Sequence, residues 1–181
     1  MNIVKGCPGS LEGRLEKEVR TYQFLDSFSI QYETCDHEPA YTMEDCQAVD
    51  RTLGTRMCKN LFLCNRQQTN FYLLLMPDDK PFRTKQLSQQ LNTSRLSFAD
   101  ASWMENILDI TPGALSLMGL INDHDHRVRL LVDEDLLTDE YIGCHPCVNT
   151  SSIKIATKDA FGTFLQATGH QLTPVKLTAE K

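Results

Sequence analysis

The sequence predicts a single α/β domain in which a mixed, mostly antiparallel sheet is surrounded by helices. The chain has 181 residues, which is the length of about one domain. Its 41% apolar and 23% charged residues are ordinary values for a globular domain with one core. Helical and strand patterns alternate irregularly and include one hairpin signal, which favours a mixed sheet over a regular doubly wound one.

Helical periodicity, capping and stop signals predict five helices. Apolar residues recur every three or four positions from residue 11 to 25, which is typical of one face of an amphipathic helix. Thr42, with an acid three residues later, has the pattern of a capping box. Gly169 stands where the last helix should stop. The predicted helices cover residues 10–27, 43–53, 84–91, 102–108 and 157–168.

Five short apolar or β-rich runs predict strands. The polar residues 65–70 separate two of these runs and are typical of a hairpin loop. Both runs are nearly continuous in apolar residues, so we expect the sheet to be covered on both faces. We expect a frayed tail from Gln171, and therefore a core of about residues 10–170 in one domain spanning 1–181. The predicted strands cover residues 30–34, 60–64, 71–76, 128–133 and 152–156.

Charge and hydropathy exclude two classes of protein. A net charge of −6 argues against a general nucleic-acid coat protein, although a few well-placed Lys and Arg can still bind phosphate. The longest apolar run has six residues, whereas a membrane span needs about 20. No apolar stretch follows the first lysine, so we expect no secretory signal and a cytoplasmic location.

Seven cysteines are scattered along the chain, and two of them form a Cys-x-x-Cys motif at Cys144 and Cys147. A redox site of this spacing normally opens a helix, and a zinc site needs a second ligand pair. Neither accompanies the motif, so we interpret these cysteines as small core residues. By the same reasoning, the acidic and histidine-rich residues 123–126 are interpreted as a polar turn before a strand rather than a metal loop.

Two further features leave alternatives open. Lys59 opens an otherwise apolar strand, where it is either a snorkelling lysine or a cation held at a pocket mouth. The segment 111–119 contains two glycines and little charge. It is either a turn into a buried helix or a loop that lets a ligand approach the backbone closely.

Five blocks in a fixed order carry a family resemblance over about residues 10–170. The sequence resembles the YbaK / prolyl-tRNA synthetase associated editing family, and in particular its free-standing PrdX-like branch of Ala-tRNA deacylases for proline tRNA. The blocks are His37–Thr42 (HEPAYT), Cys58–Leu63 (CKNLFL), Pro112–Ser116 (PGALS) with Gly119–Asp123 (GLIND), Val128–Asp133 (VRLLVD), and His145-Pro146 with Asn149-Thr150.

The resemblance implies a hydrolase that acts in trans on mischarged tRNA, most simply alanine on proline tRNA, without a metal or other cofactor. Its partners would be the acceptor end of that tRNA and, as a candidate, prolyl-tRNA synthetase, but neither DNA nor a membrane. The resemblance assigns catalytic positions to Lys59, Asn60 and His145. It assigns substrate-binding positions to Gly113, Ser116, Gly119, Asn149 and Thr150.

The chain departs from the family pattern near the implied pocket. Leu117 follows Ser116 where the family usually has proline, and cysteines flank the His145-Pro146 pair. Three alternatives therefore stay open: a deacylase for another mischarged amino acid such as cysteine, a non-catalytic tRNA-binding relative, and a thiol oxidoreductase built on Cys144 and Cys147.

Overall fold

A computed structural model describes residues 1–178, apart from the side chain of Met43, and the strands form two sheets. One sheet has four antiparallel strands in the order β1-β2-β8-β7, and the other has five in the order β5-β3-β4-β6-β9. The strands are β1 (Ile3–Lys5), β2 (Tyr32–Asp36), β3 (Lys59–Cys64), β4 (Phe71–Met76), β5 (Ser97–Phe98), β6 (Val128–Asp133), β7 (Tyr141–Cys144), β8 (Ser151–Ala156) and β9 (Leu172–Val175).

The predicted α/β class and the mostly antiparallel pairing are confirmed. β3 and β4 form the predicted antiparallel hairpin, in which Leu61 pairs with Leu74, whereas β4–β6 and β6–β9 are parallel. All six residues of β4 are buried, as its continuous apolar run predicts. The number of sheets differs from the prediction, because strand pairing between distant segments is not encoded in any local pattern.

The helices lie close to their predicted positions. They are α1 (Glu16–Ser27), α2 (Met43–Leu53), α3 (Thr84–Gln90), α4 (Ala101–Leu108) and α5 (Phe164–Thr168), with a π-helical turn (Asp159–Thr163) before α5 and 3-10 helices at Leu117–Asn122 and Glu134–Thr138. The predicted capping box is present, since Asp45 N–H donates to Thr42 Oγ1 at 3.1 Å and Thr42 N–H donates to the Asp45 carboxylate at 3.0 Å. Gly169 ends α5 with φ of 78°.

Several local predictions were wrong. α1 starts at Glu16 instead of residue 10, because Gly13 takes a left-handed conformation with φ of 76°. The tail from Gln171 is not frayed along its described length: β9 pairs in parallel with β6, and Val175 is buried. Pro174 lies within this strand, although proline usually argues against one. It is tolerated here because β9 lies at the sheet edge. Residues 179–181 of the predicted tail lie outside the described part.

A close backbone approach joins the two sheets next to the pocket described below. Gly143 of β7 forms a parallel bridge with Met57, just before β3, and its N–H donates to the Arg56 carbonyl at 3.0 Å. A Cβ at Gly143 would lie 2.6 Å from the Met57 sulfur and 3.2 Å from the Arg56 carbonyl oxygen, so a side chain there would force the Met57 side chain and the Arg56 main chain to shift. No helix within residues 1–178 is long and apolar enough to cross a membrane.

Candidate active site

A pocket of about 220 Å³ opens between α2, the start of β3, the loop at residues 113–115 and the segment after β7. Its wall is made mostly of small or apolar side chains, with three polar ones among them. The lining residues are Ala40, Cys46, Val49, Met57, Cys58, Asn60, Gly113, Leu115, His145 and Ser152. Three of the predicted site residues, Asn60, Gly113 and His145, are therefore brought together from segments far apart in the chain.

Asn60 presents an unpaired acceptor in this pocket. Its Nδ2 donates to the Cys58 carbonyl at 2.8 Å, whereas its buried Oδ1 has no partner among residues 1–178. Buried polar atoms almost always have a hydrogen-bond partner, and an orphaned one costs about 1–3 kcal/mol. Because this oxygen is itself buried, the Asn60 side chain must rotate toward the pocket before the N–H or O–H group of a ligand can donate to it.

His145 is held as a neutral imidazole in a defined tautomer. Its Nδ1 lies 3.0 Å from the Ser151 carbonyl oxygen, which can only accept, so Nδ1 carries the hydrogen and Nε2 is left as an acceptor. Burial lowers the pKa of His145 below its ordinary 6.5, and the nearby His37 lowers it further. The ring therefore stays uncharged at neutral pH.

His37 and Ser152 complete this polar network, and sequence reasoning assigned neither of them a role. His37 Nδ1 donates to the Glu38 carbonyl at 2.7 Å, so its Nε2 accepts from Ser152 Oγ at 2.8 Å. Ser152 Oγ in turn lies 3.4 Å from Nδ1 of His145. The histidine of the His-Glu-Pro block was the available signal, but only the pairing of β2 with β8 brings it to Ser152.

Gly113 forms one rim of the pocket, and Asn149 lies next to it. Gly113 has φ of 94°, a conformation that side chains strongly disfavour, and a Cβ there would point at Asn149 Nδ2 from 3.7 Å. Asn149 bonds both main-chain groups of Ala40, accepting from its N–H at 3.4 Å and donating to its carbonyl at 3.3 Å. Thr150 is exposed next to this rim, and its carbonyl accepts from His37 N–H at 3.0 Å.

Ser116 and Gly119 lie in the core rather than in the pocket wall. Ser116 is fully buried and its Oγ accepts from Met118 N–H at 3.1 Å, which caps the 3-10 helix. A Cβ at Gly119 would lie 2.7 Å from Ile110 Cδ1 and 3.2 Å from Leu108 Cβ. These contacts pack the segment that follows the pocket loop against the core. Direct contact of Ser116 or Gly119 with the substrate remains a prediction.

Lys59 and Asn60 point to opposite faces of the five-stranded sheet, because successive strand residues alternate. Asn60 faces the pocket. Lys59 shares its face with Leu61 and Leu63, which pack in the cluster beneath α3. The half-buried Lys59 extends its Nζ to 3.5 Å from the Lys80 carbonyl oxygen. The ammonium group thus lies beside the pocket and is not part of its lining. Contact of Lys59 with the 3′ end of the tRNA remains a prediction.

The Cys-x-x-Cys motif has the environment of core residues. Both cysteines are reduced and buried, and β8 follows the motif instead of a helix. Burial raises the pKa of Cys144 to about 12 and that of Cys147 to about 11, the opposite of what a reactive thiolate needs. Within residues 1–178, no three His, Cys, Asp or Glu side chains are grouped so as to hold a metal ion.

The acidic turn before β6 is structural, as interpreted from the sequence. The buried Asp123 carboxylate accepts from the main-chain N–H groups of Arg127 and Val128, each at 2.9 Å. His170 Nε2 lies 2.9 Å from the same carboxylate. The pair ties the end of α5 to the start of β6 and takes no part in the pocket.

The fold and the pocket define a class of small α/β editing domains. Residues 37–161 match the model of the aminoacyl-tRNA editing domain, and the chain belongs to that family.

Curated relatives and a solved structure agree with this assignment. The chain is 28% identical over 153 residues to the prolyl-tRNA editing protein ProX of Acetoanaerobium sticklandii, covering 84% of this chain and 93% of that one. It is also 28% identical to the prolyl-tRNA synthetase associated domain-containing protein 1 of Mus musculus, covering 82% and 89%. The fold matches the crystal structure of a candidate trans-editing enzyme for prolyl tRNA synthetase with a TM-score of 0.68 at 15% identity, covering 91% and 99%.

Proposed function

We propose that this protein is a trans-editing aminoacyl-tRNA deacylase that hydrolyses mischarged tRNA, with alanine on proline tRNA as its preferred substrate. The observation that carries the proposal is the small pocket of about 220 Å³, which combines an apolar wall with the unpaired Oδ1 of Asn60 and the neutral His145. Membership of the editing family and the names of the relatives support the same activity.

The pocket residues have complementary roles in this reaction. The alanine methyl group fits against the apolar wall formed by Val49, Met57 and Leu115. Asn60 Oδ1 accepts a hydrogen bond from the α-ammonium group, and Nε2 of His145 accepts one from the terminal ribose or the attacking water. Water adds to the ester carbonyl, the bond to the ribose oxygen breaks, and that oxygen takes up a proton. Main-chain N–H groups of the 113–115 loop supply donors for the oxyanion, apart from that of Ala114, which donates to the Thr111 carbonyl.

Selectivity follows from steric exclusion. A synthetase pocket built for proline cannot strongly reject a smaller amino acid, since each missing methylene is worth about 1–3 kcal/mol. In the editing pocket, the proline ring would collide with the wall and move the carbonyl out of line. A misplacement of about 1 Å can cost a hundred-fold in rate.

The test is hydrolysis of proline tRNA charged with alanine, proline or cysteine. We expect the alanine ester to be cleaved and the proline ester to be spared. Asn60→Leu, which keeps the volume and removes the acceptor, should cleave the alanine ester more slowly while staying folded. Equal cleavage of the alanine and proline esters would contradict the steric exclusion of proline. A preference for the cysteine ester would mean that Leu117 and the cysteines around His145 have altered the pocket, and no cleavage at all would indicate a non-catalytic tRNA-binding protein.

The partners follow from this activity. The acceptor end of the mischarged tRNA is the substrate, and prolyl-tRNA synthetase is the candidate protein partner because the relatives carry its name. Both would be met in the cytoplasm, where tRNA is charged and used. Copurification of the synthetase with the tagged protein, with and without tRNA, tests the second partner.

A further inference from the structure

The segment around α3 has a charge opposite to that of the whole chain. Residues 80–99 contain four basic residues and no acidic one, although the chain carries a net charge of −6. Lys80 is neutralised by Asp133 and Asp135. Arg83, Lys85 and Arg95 are exposed and form no ion pair with any residue in the described range 1–178. Their charges are therefore available to a ligand.

These three cations border one open groove of about 780 Å³. No acidic side chain lines it, and the other lining residues are neutral hydrogen-bonding ones such as Ser88, Gln89 and Asn92. Arginine, lysine, serine, threonine and amide side chains are the groups that contact phosphate and sugar oxygens in nucleic-acid complexes. Among the described residues, no apolar side chain lines the groove, because Leu87 of α3 and the following Leu91 turn inward to the core.

An exposed aromatic side chain packs against the residue that precedes Arg83. Phe98 on β5 is 63% exposed, and its ring packs edge-on against Phe82, with centroids 5.9 Å apart. Phe82 directly precedes Arg83, and Phe98 follows Arg95 by three residues. An exposed aromatic ring beside arginines is the arrangement on which unpaired bases stack in single-stranded RNA recognition.

This face is joined to the active-site pocket through β3. The side chain of Phe98 lies on the α3 side of the sheet, because Phe98 pairs with Leu63, whose side chain is in the cluster under α3. β5 pairs only with Leu63 and Cys64, so the beginning of β3 is not covered by it. At that end, Lys59 faces the α3 side and Asn60 faces the pocket. The α3 side and the pocket therefore lie on opposite faces of the same strand.

We propose that the α3 face, formed by Arg83, Lys85, Arg95 and Phe98, binds the ribose–phosphate backbone of the substrate tRNA's acceptor arm and stacks one of its unpaired bases. The inference rests on the proposed deacylase function and names the surface by which that enzyme holds its RNA. The pocket alone reads the amino acid and the terminal ribose, whereas the α3 face holds the RNA beyond them.

The test compares two substrates and two triple variants. The substrates are intact alanyl proline tRNA and alanine esterified to a CCA trinucleotide, which has no stem. Arg83→Ala with Lys85→Ala and Arg95→Ala removes the α3 charges. Lys5→Ala with Lys17→Ala and Lys158→Ala removes three charges that lie in other segments, outside the groove. Both triple variants change the net charge equally, so general electrostatic attraction is matched.

We expect the α3 variant to lose at least ten-fold in kcat/KM on intact tRNA relative to the control variant. The ratio of its rates on tRNA and on the trinucleotide should also fall, by the part of the loss that comes from contacts with RNA beyond the CCA end. Each phosphate contact contributes about 0.7–0.9 to the slope of log affinity against log salt, so the slope should decrease by about two to three. Phe98→Leu should weaken tRNA binding about ten-fold, and Phe98→Tyr should restore it because the stacking ring returns.

The outcomes separate this inference from the function on which it depends. Wild-type protein that cleaves neither substrate would contradict the deacylase itself. Wild-type protein that cleaves both, with the α3 variant equal to the control variant, would overturn only the α3 face. A loss seen solely when prolyl-tRNA synthetase is present would make the face a protein-docking surface and would also overturn the proposal. Circular dichroism spectra and melting temperatures of all variants should equal those of the wild type, which shows that a lower rate reflects weaker binding and not unfolding.

Discussion

Asn149 and Ala40 are joined by two reciprocal hydrogen bonds, in which the Asn149 side chain accepts from the Ala40 N–H at 3.4 Å and donates to the Ala40 carbonyl at 3.3 Å. The pair fastens the segment before α2 to the loop after β7. One amide side chain therefore fixes the distance between these two segments, both of which contribute to the pocket. This gives Asn149 a positioning role.

Removing this clamp should impair activity more than stability. Asn149→Ala loses both bonds, which together are worth about 1–2 kcal/mol, so we expect about a five- to thirty-fold lower kcat/KM. Asn149→Asp keeps the acceptor facing the Ala40 N–H and should retain part of the activity. Steady-state deacylation of alanyl proline tRNA measures the effect, and an Asn149→Ala enzyme equal to wild type would show that the clamp is dispensable.

The charge of Lys59 should matter more than its side-chain bulk. If its ammonium group neutralises a phosphate near the tRNA 3′ end, Lys59→Met should lower the deacylation rate at subsaturating tRNA about ten- to a hundred-fold. This factor corresponds to the loss of a charge-assisted contact worth about 1.5–3 kcal/mol. Lys59→Arg should keep most of the activity. A folded Lys59→Met variant with an unchanged rate would make Lys59 a snorkelling residue at the strand end.

His145 should make folding stability depend on pH. Its pKa is lowered in the folded protein, mainly by burial, so the unfolded chain binds the proton more readily. The stabilising contribution is complete above the unfolded pKa of about 6.5 and is lost as pH falls through the folded pKa. Urea unfolding between pH 7.5 and 5 should show a declining free energy that His145→Gln makes shallower, and parallel curves for the two proteins would contradict the assignment.

The buried cysteines should be inert. Cys144→Ala with Cys147→Ala should leave deacylation within a few-fold of wild type, because both thiols are buried with raised pKa values. In the native protein, Ellman's reagent should modify the exposed Cys46 well before either of them. Rapid modification of Cys144 or Cys147, or one zinc ion per purified chain, would revive a thiol-based function.

Asp123 should be one of the more costly residues to replace. Burial alone would raise its pKa, but the bonds from His170 and from two main-chain N–H groups hold that pKa below its usual range. Asp123→Ala leaves those donors unpaired, so we expect a loss of about 3 kcal/mol in the free energy of unfolding. Asp125→Ala, in the same turn but exposed, should change it by less than about 0.5 kcal/mol. Comparable losses in the two variants would contradict the structural role of Asp123.

Local signals in the sequence determined much of the secondary structure. The β3–β4 hairpin, the capping box of α2 and the stop of α5 at Gly169 each depend on residues close together in the chain. Because successive side chains alternate along any strand, the strand assignment of β3 also separates Lys59 from Asn60. The role of Cys144 and Cys147 as buried core residues was likewise predictable, because neither a helix signal nor a second ligand pair accompanies the motif.

The tertiary structure alone decided how distant segments combine. The division of the strands into two sheets and the pairing of β9 with β6 depend on contacts that no local pattern encodes. His37 reaches Ser152 across 115 residues of sequence, and that contact exists because β2 and β8 are neighbours in one sheet. The sequence thus supplied the reactive and binding groups, whereas non-local strand pairing set the distances between them and thereby formed the pocket.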